Sequence, residues 1–195
     1  MAFFRLTALI NRIFQDSQAQ AVCRKGSHLF GIFDGHGGAA CGNVVAKRLF
    51  HYIAADLLSP QEIARHLEAF KENDTNSPDY EIVQHFNETF ELVQDLREMY
   101  KLSYINHLKR LLKKKIEIGD NDQLTRIEDI LVDAFLYLDD DMGSEAHKKE
   151  NKDVDNKDNN KDVDNIKFVT VALSGAVGIV AHIEVGVVAI NHHKE

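Results

Sequence analysis

The sequence predicts one α+β domain in which helices pack on antiparallel sheets. Residues 28–34, HLFGIFD, form a short apolar run that is typical of a buried strand. From about Gly38 the period changes, and apolar residues recur every four positions between Val45 and Leu57, as on one face of a helix. Residues 168–191 are rich in Val, Ile and Thr, which indicates strands again. This order of elements places the chain in the α+β class.

Helical periodicity covers most of the chain between the two β-type regions. Pro60 marks the end of the first helix, and a shorter helix follows it. A long helix is predicted from Asp79 to about Ile116, and another over 127–138. In the last β-type region, Gly186 is expected in or near a turn between two strands.

Residues 148–167 have a composition unlike the rest of the chain. The segment contains six Lys, six acids and five Asn, and it repeats NKDVDN at 151–156 and 160–165. Such a segment buries too little apolar surface to offset the entropy of ordering it. We therefore expect a polar, disordered insertion within a domain that spans 15–191.

The two ends of the chain lie outside that predicted domain. Residues 1–14, MAFFRLTALINRIF, contain no acid and place Arg5 and Arg12 on one side of a helix. A basic amphipathic start is typical of a mitochondrial presequence. The alternatives are a first helix or strand that packs on the core, or a non-native start. Residues 192–195 are predicted to be a short tail.

Charge and hydropathy exclude several classes of protein. The 31 acids outnumber the 23 Lys and Arg residues and give a net charge of -8, which argues against a nucleic-acid binder. No window approaches the roughly 18 apolar residues that a transmembrane helix needs. Cys23 and Cys41 match no metal-ligand spacing, so we expect free thiols in a reducing compartment.

The residues with the clearest chemistry lie in FGIFDGHGG, at 30–38. Asp34 supplies a carboxylate at the end of a strand, and Gly35 allows a sharp turn and an accessible carbonyl oxygen. His36 adds a group that can donate a proton near neutral pH. Together they suit metal-assisted hydrolysis. The alternative reading is a hairpin in which Asp-Gly is only turn chemistry.

This motif and the helix after it, AACGNVVAKRLFHYIAADLL, resemble the signature of the metal-dependent 2C-type (PPM) protein serine/threonine phosphatases. Two later stretches agree in kind and order, namely DAFLYLDDDM at 133–142 and VALSGAVGIVAHIEVGVVAIN at 171–191. The resemblance implies a four-layer α-β-β-α sandwich, of which this chain would hold roughly the N-terminal half.

The resemblance also implies roles for three residues. Asp34 corresponds to the carboxylate that bridges two Mg²⁺ or Mn²⁺ ions, and the Gly35 carbonyl corresponds to a ligand of one of them. His36 corresponds to the general acid. The expected reaction is hydrolysis of a phosphoserine in a protein by a metal-bound hydroxide. More narrowly, the motif resembles the branch of the family that acts on the pyruvate dehydrogenase complex, which implies the mitochondrial matrix, with the cytoplasm as the alternative.

The chain also departs from the family pattern. The Glu of an upstream Glu–Asp pair is replaced by Phe14 or Gln15, although Asp16 can be the second member. The later metal-binding aspartates have no counterpart before Glu195. Two dications about 4 Å apart repel by roughly 16 kcal/mol at an effective dielectric of ~20. We therefore expect little or no activity, and keep two alternatives: a non-catalytic binding or regulatory relative, and an incomplete gene product.

Overall fold

The computed structural model describes residues 16–86, 97–118, 126–150, 170–171 and 174–184. Within them, helices pack on a four-stranded antiparallel sheet, which confirms the α+β class. The elements in chain order are β1 (Asp16–Cys23), β2 (His28–His36), α1 (Ala40–Asp56), α2 (Pro60–Glu72), β3 (Val83–His85), α3 (Arg97–Ile118), α4 (Ile127–Glu150) and β4 (Gly175–Ile183). None of the helices in these ranges has an apolar stretch long enough to cross a membrane.

The sheet is organised around β2. Its strand order is β3-β1-β2-β4, so that β2 pairs with β1 on one side and with β4 on the other. Gly31 lies opposite Ala19 of β1, and Ile32 lies opposite Ile179 of β4. The described residues form one sheet. The second sheet of the four-layer sandwich therefore remains a prediction.

The strand that the sequence predicted at 28–34 is present as part of β2, and only one of its faces is buried. Leu29 and Phe33 are 0% exposed and face the helices. The alternate residue Ile32 is 59% exposed, and its neighbour Ile179 on β4 is 73% exposed. Since side chains alternate across a sheet, this register separates a helix-covered face from an open apolar face within the described residues.

Helix α1 covers the buried face of the sheet. Its residues Leu49 and Ile53, which belong to the four-residue apolar period that predicted this helix, are 0% exposed. The helix ends at Asp56, and Pro60 is the first residue of α2, where proline is favoured. The Ser59 hydroxyl and the Glu62 carboxylate complete a capping box at the start of α2.

Buried polar side chains join α1 to α4. The Arg48 guanidinium donates two hydrogen bonds to the Glu145 carboxylate, both 2.8 Å long, and both side chains are almost fully buried. The Tyr52 hydroxyl donates to Asp141 at 2.8 Å, and the Arg48 guanidinium lies 4.1 Å from the centre of the Tyr100 ring. This network fixes how α4 lies on α1, because a buried charge is tolerated only with its partner in place.

Several buried imidazoles lie among the helices. Burial lowers the pKa of His51 to about 3, and the pKa of His107 is lowered to about 3 for the same reason. Within the described residues the ring nitrogens of His107 have no hydrogen-bond partner, and its ring packs 4.2 Å from that of Tyr52. The His66 Nε2 lies 3.0 Å from the Tyr104 hydroxyl. His51 and His107 are therefore uncharged in the folded protein at neutral pH.

Three predicted elements differ in the structure. The long helix predicted from Asp79 is wrong in its first part, because β3 occupies Val83–His85 and α3 begins at Arg97. Helix α4 extends beyond 127–138 to Glu150, and so includes the first three residues of the polar segment. Residues 170–171 are helical, although the sequence predicted a strand there. The remainder of the polar segment, the turn at Gly186 and residues 1–15 lie outside the described residues.

Replacing Arg48 with Met is expected to destabilise the fold strongly. The substitution leaves the Glu145 carboxylate buried without its partner, which costs about 3–5 kcal/mol. Urea unfolding followed by circular dichroism measures the loss. As a control, Lys113→Met removes an exposed ion pair with Glu117 and should cost less than about 1 kcal/mol. Equal losses in the two variants would contradict the structural role of Arg48.

Stability is expected to fall as the pH drops below about 6.5, the pKa of an unfolded histidine. His51 and His107 have lowered pKa values of about 3 in the fold. The unfolded chain therefore binds more protons between those values, and each group contributes a loss of up to about 1.4 kcal/mol per pH unit. Urea unfolding between pH 7.5 and 5 measures this slope. His107→Phe should make it shallower, and an unchanged slope in that variant would contradict the assignment.

Candidate active site at the end of the central strand

Asp34 and His36 lie on the same face of β2, at its C-terminal end. Both side chains are exposed, and the burial of the strand alternates up to its last residue. Residues two apart on one strand face have α-carbons about 6.4–6.8 Å apart. The structure therefore brings the predicted carboxylate and the predicted proton donor to one surface. The sequence alone did not show this, because it did not predict that the strand continues through Asp34 to His36.

Gly35 faces the other way, and the turn predicted there lies further along the chain. Gly35 is a strand residue opposite Ala176 of β4, and it is buried. The sharp change of direction occurs at Gly37 (φ 74°) and Gly38 (φ 131°), where a residue without Cβ is favoured. The hairpin alternative is also wrong, because this turn joins β2 to α1.

The first turn of α1 packs closely on the backbone of Gly35. An ideal Cβ built on Gly42 would lie 3.6 Å from both the α-carbon and the amide nitrogen of Gly35. Ser17 of β1 lies on the same side, and its hydroxyl donates to the Asn43 side chain at 2.6 Å. These contacts hold the helix and the two strands together immediately beneath the Asp34–His36 surface.

A second acidic residue shares the register position of Asp34. Asp16, at the start of β1, is the direct cross-strand partner of Asp34. The sequence raised Asp16 as the second member of a family pair but did not predict the strand that brings it to Asp34. The other candidates, Phe14 and Gln15, lie outside the described residues.

Ser174 joins the start of β4 to the start of α1. Its hydroxyl accepts a hydrogen bond of 3.2 Å from the Cys41 amide and donates one of 2.9 Å to the Thr170 carbonyl. Ala39, the N-cap residue of α1, offers no side-chain cap, so Ser174 takes that role from a distant segment. The sequence analysis assigned no role to Ser174, because its partners lie in distant parts of the chain.

Cys41 has no sign of reactivity. Its side chain is 8% exposed, and burial, followed by the nearby Asp139 carboxylate, raises the pKa of its thiol. A raised pKa reduces the fraction of nucleophilic thiolate. The residue is a small member of the core and a free thiol, and the free thiol is what the sequence predicted.

The donor atoms at this end of the sheet fit a hard divalent cation in part. A carboxylate on the exposed face and backbone carbonyls are the oxygen ligands that Mg²⁺ and Mn²⁺ prefer, and Mg²⁺ is commonly held by only one or two carboxylates. Among the residues that the structure describes, no group of three or more His, Cys, Asp or Glu side chains converges on one point. In this part of the chain the Asp34 carboxylate is the charged oxygen donor on the exposed face of β2.

The fold defines an α+β protein, and comparison with curated proteins finds relatives that are named as phosphatases. The chain is 30% identical over 176 residues to [Pyruvate dehydrogenase [acetyl-transferring]]-phosphatase 1, mitochondrial, from Homo sapiens, and equally to the Bos taurus protein. It is 29% identical over 179 residues to the human phosphatase 2 of the same name. No protein-family profile matches the chain.

These alignments cover 89% of the chain but only 30% of each relative. The chain therefore spans about a third of the length of the curated relatives that it matches. This similarity supports a relationship to the 2C-type phosphatases, whose signature the motif at 30–38 resembles.

Replacing Ser174 with Ala is expected to loosen the start of α1. The Cys41 amide loses its acceptor, and losing such a cap costs about 1 kcal/mol. Amide hydrogen exchange at Cys41 should accelerate, and urea unfolding should show the lost stability. The control is Ser144→Ala, a half-buried serine within α4. Unchanged exchange at Cys41 in the Ser174 variant would contradict the capping role.

Proposed function

We propose that this protein is a metal-dependent protein serine/threonine phosphatase of the 2C type, with its reaction centre at the C-terminal end of β2. The single observation that carries the proposal is the placement of Asp34 and His36 on one exposed face at the end of the central strand. The similarity to named phosphatases over 89% of the chain supports the same assignment. Fold alone would not suffice, because one fold hosts many activities.

Each residue of the motif has a separate task in this proposal. The Asp34 carboxylate and the Gly35 carbonyl would hold Mg²⁺ or Mn²⁺, and Asp16 stands at the register position where a second carboxylate assists. A bound cation lowers the pKa of a water and offsets the charge of the phosphoryl group. His36 donates a proton to the departing serine or threonine oxygen, which otherwise leaves as a poor alkoxide.

The substrate and the compartment are proposed from the relatives. The similar proteins are named as mitochondrial phosphatases of acetyl-transferring pyruvate dehydrogenase. We assign the same class of substrate to this protein, a phosphoserine in a subunit of the pyruvate dehydrogenase complex. The acid-free segment at 1–14 suits delivery to the mitochondrial matrix, with the cytoplasm as the alternative.

The 195-residue polypeptide on its own is proposed to bind cations weakly and to turn over substrate slowly. Two dications about 4 Å apart repel by roughly 16 kcal/mol at an effective dielectric of ~20, so several carboxylates must surround them. The described residues bring Asp34, with Asp16 in register, to this end of the sheet. The negative charge of these two residues suffices to hold one cation but is too small to offset the repulsion between two.

A non-catalytic relative of the phosphatases is the second candidate. It is favoured by the partial donor set of the described residues and by the exposed apolar residues that share the face with Asp34. In such a protein, Asp34 would bind no cation specifically. The two candidates therefore differ in what happens when this carboxylate is neutralised.

Asp34→Asn is expected to weaken Mn²⁺ binding by at least about tenfold, because it removes the charged ligand while keeping the size of the side chain. Isothermal titration of the 195-residue protein with Mn²⁺ measures the change. Glu68→Gln on α2 neutralises another exposed carboxylate and should leave the affinity unchanged.

A phosphoserine peptide assayed with Mn²⁺ gives the second readout. Turnover near background is expected for the unmodified chain. Strong turnover that Asp34→Asn abolishes would establish the phosphatase and refute the proposed weakness of this polypeptide. Mn²⁺ binding that is identical in the unmodified chain and the Asp34 variant would favour the non-catalytic relative.

A further inference from the structure

The imidazole of His36 occupies the space in which residue 175 would carry a side chain. His36, the last residue of β2, is the direct cross-strand partner of Gly175, the first residue of β4. An ideal Cβ built on Gly175 would lie 2.2 Å from His36 Nε2, 2.6 Å from Cε1 and 3.0 Å from Cδ2. The ring edge that carries Nε2 therefore lies directly on the backbone of β4.

We propose that Gly175 is a positioning residue for His36: the absence of a Cβ lets the imidazole lean across from β2 onto β4. The backbone of Gly175 does not itself require glycine, because the glycines with positive φ among the described residues are Gly26, Gly37 and Gly38. A need for unusual backbone angles therefore does not explain why residue 175 is glycine. The explanation is that the His36 ring occupies the space that a Cβ would fill.

The position of Gly175 is set by its neighbour. Ser174 is 8% exposed, and its hydroxyl binds both the Cys41 amide and the Thr170 carbonyl. The strand start is thus fixed to α1, whereas the His36 side chain is exposed and is not enclosed by the core. A side chain at position 175 would consequently displace the ring and leave the backbone in place.

The contact between His36 and Gly175 does not depend on the proposed function, but its effect on catalysis does. If His36 donates the proton, Gly175 sets where that proton is delivered relative to Asp34 on the same strand face. A methyl group at position 175 would push the Nε2 edge away by on the order of 1 Å, and a misplacement of that size can reduce catalysis by about 100-fold. Gly175 acts through His36 and is not itself a catalytic residue.

The test compares ring position in the unmodified 195-residue protein, in Gly175→Ala and in Gly143→Ala. Gly143 is a matched control, because a Cβ built there meets nothing within 4 Å. Nuclear Overhauser effects between the His36 ring protons and the Gly175 α-protons report the contact, and His36→Gln assigns the ring resonances. We expect these effects in the unmodified protein and in Gly143→Ala.

In Gly175→Ala the His36 ring resonances should shift and the ring should lose its contact with the strand, while the urea midpoint changes little. An unshifted His36 ring in that variant would overturn the proposal. So would the absence of a His36–Gly175 effect in the unmodified protein, a result that needs no variant to fold. Neither readout depends on turnover or on Mn²⁺, so failure here and failure of the proposed phosphatase activity are distinguishable.

Discussion

The register of β2 between its two neighbours is the constraint on which the rest of the structure depends. It turns Leu29 and Phe33 toward the helices and Asp34 and His36 toward the opposite face. A slip of one residue would exchange these sets, placing a carboxylate and an imidazole in the core. The cost of burying such groups ties the packing of the domain to the exposure of its motif. The core therefore specifies the site.

The residues that stabilise the fold differ from the residues that are proposed to carry the chemistry. The buried ion pair of Arg48 and Glu145 lies between helices, as do the neutral histidines. Asp34 and His36 are exposed at the end of a strand, where they contribute little to the core. Substitutions at the motif therefore report mainly on binding and chemistry, whereas substitutions in the helical network report on folding. Ser174 connects the two, because it ties α1 to the strand that faces His36.

The motif and the main helices could be predicted from sequence, because their signals are local. The run at 30–38 combines a strand, an acid and glycines, and the four-residue period of α1 is strong. Strand β1 was missed because its inward residues, Ser17, Ala19, Ala21 and Cys23, are small and weakly apolar. Small residues suit a strand that lies beneath a helix, but they give little hydrophobic alternation.

The remaining differences come from tertiary pairing. β3 is only three residues long and gains its partners from β1, so a helical spacing in the sequence concealed it. The contact of His36 with Gly175 joins residues that are distant in sequence, and so does the pairing of Asp16 with Asp34. Such pairings depend on strand register, which the sequence does not specify until the neighbouring strands are known.

The most direct test of the central claim is where Mn²⁺ binds on the folded chain. Paramagnetic broadening of assigned amide resonances, recorded while Mn²⁺ is added below one equivalent, locates the ion without any assay of turnover. The amides of Asp34, Gly35 and the facing Val177 should broaden first. Broadening centred on the acidic residues of α4, or spread evenly over the surface, would contradict a cation site at the end of β2.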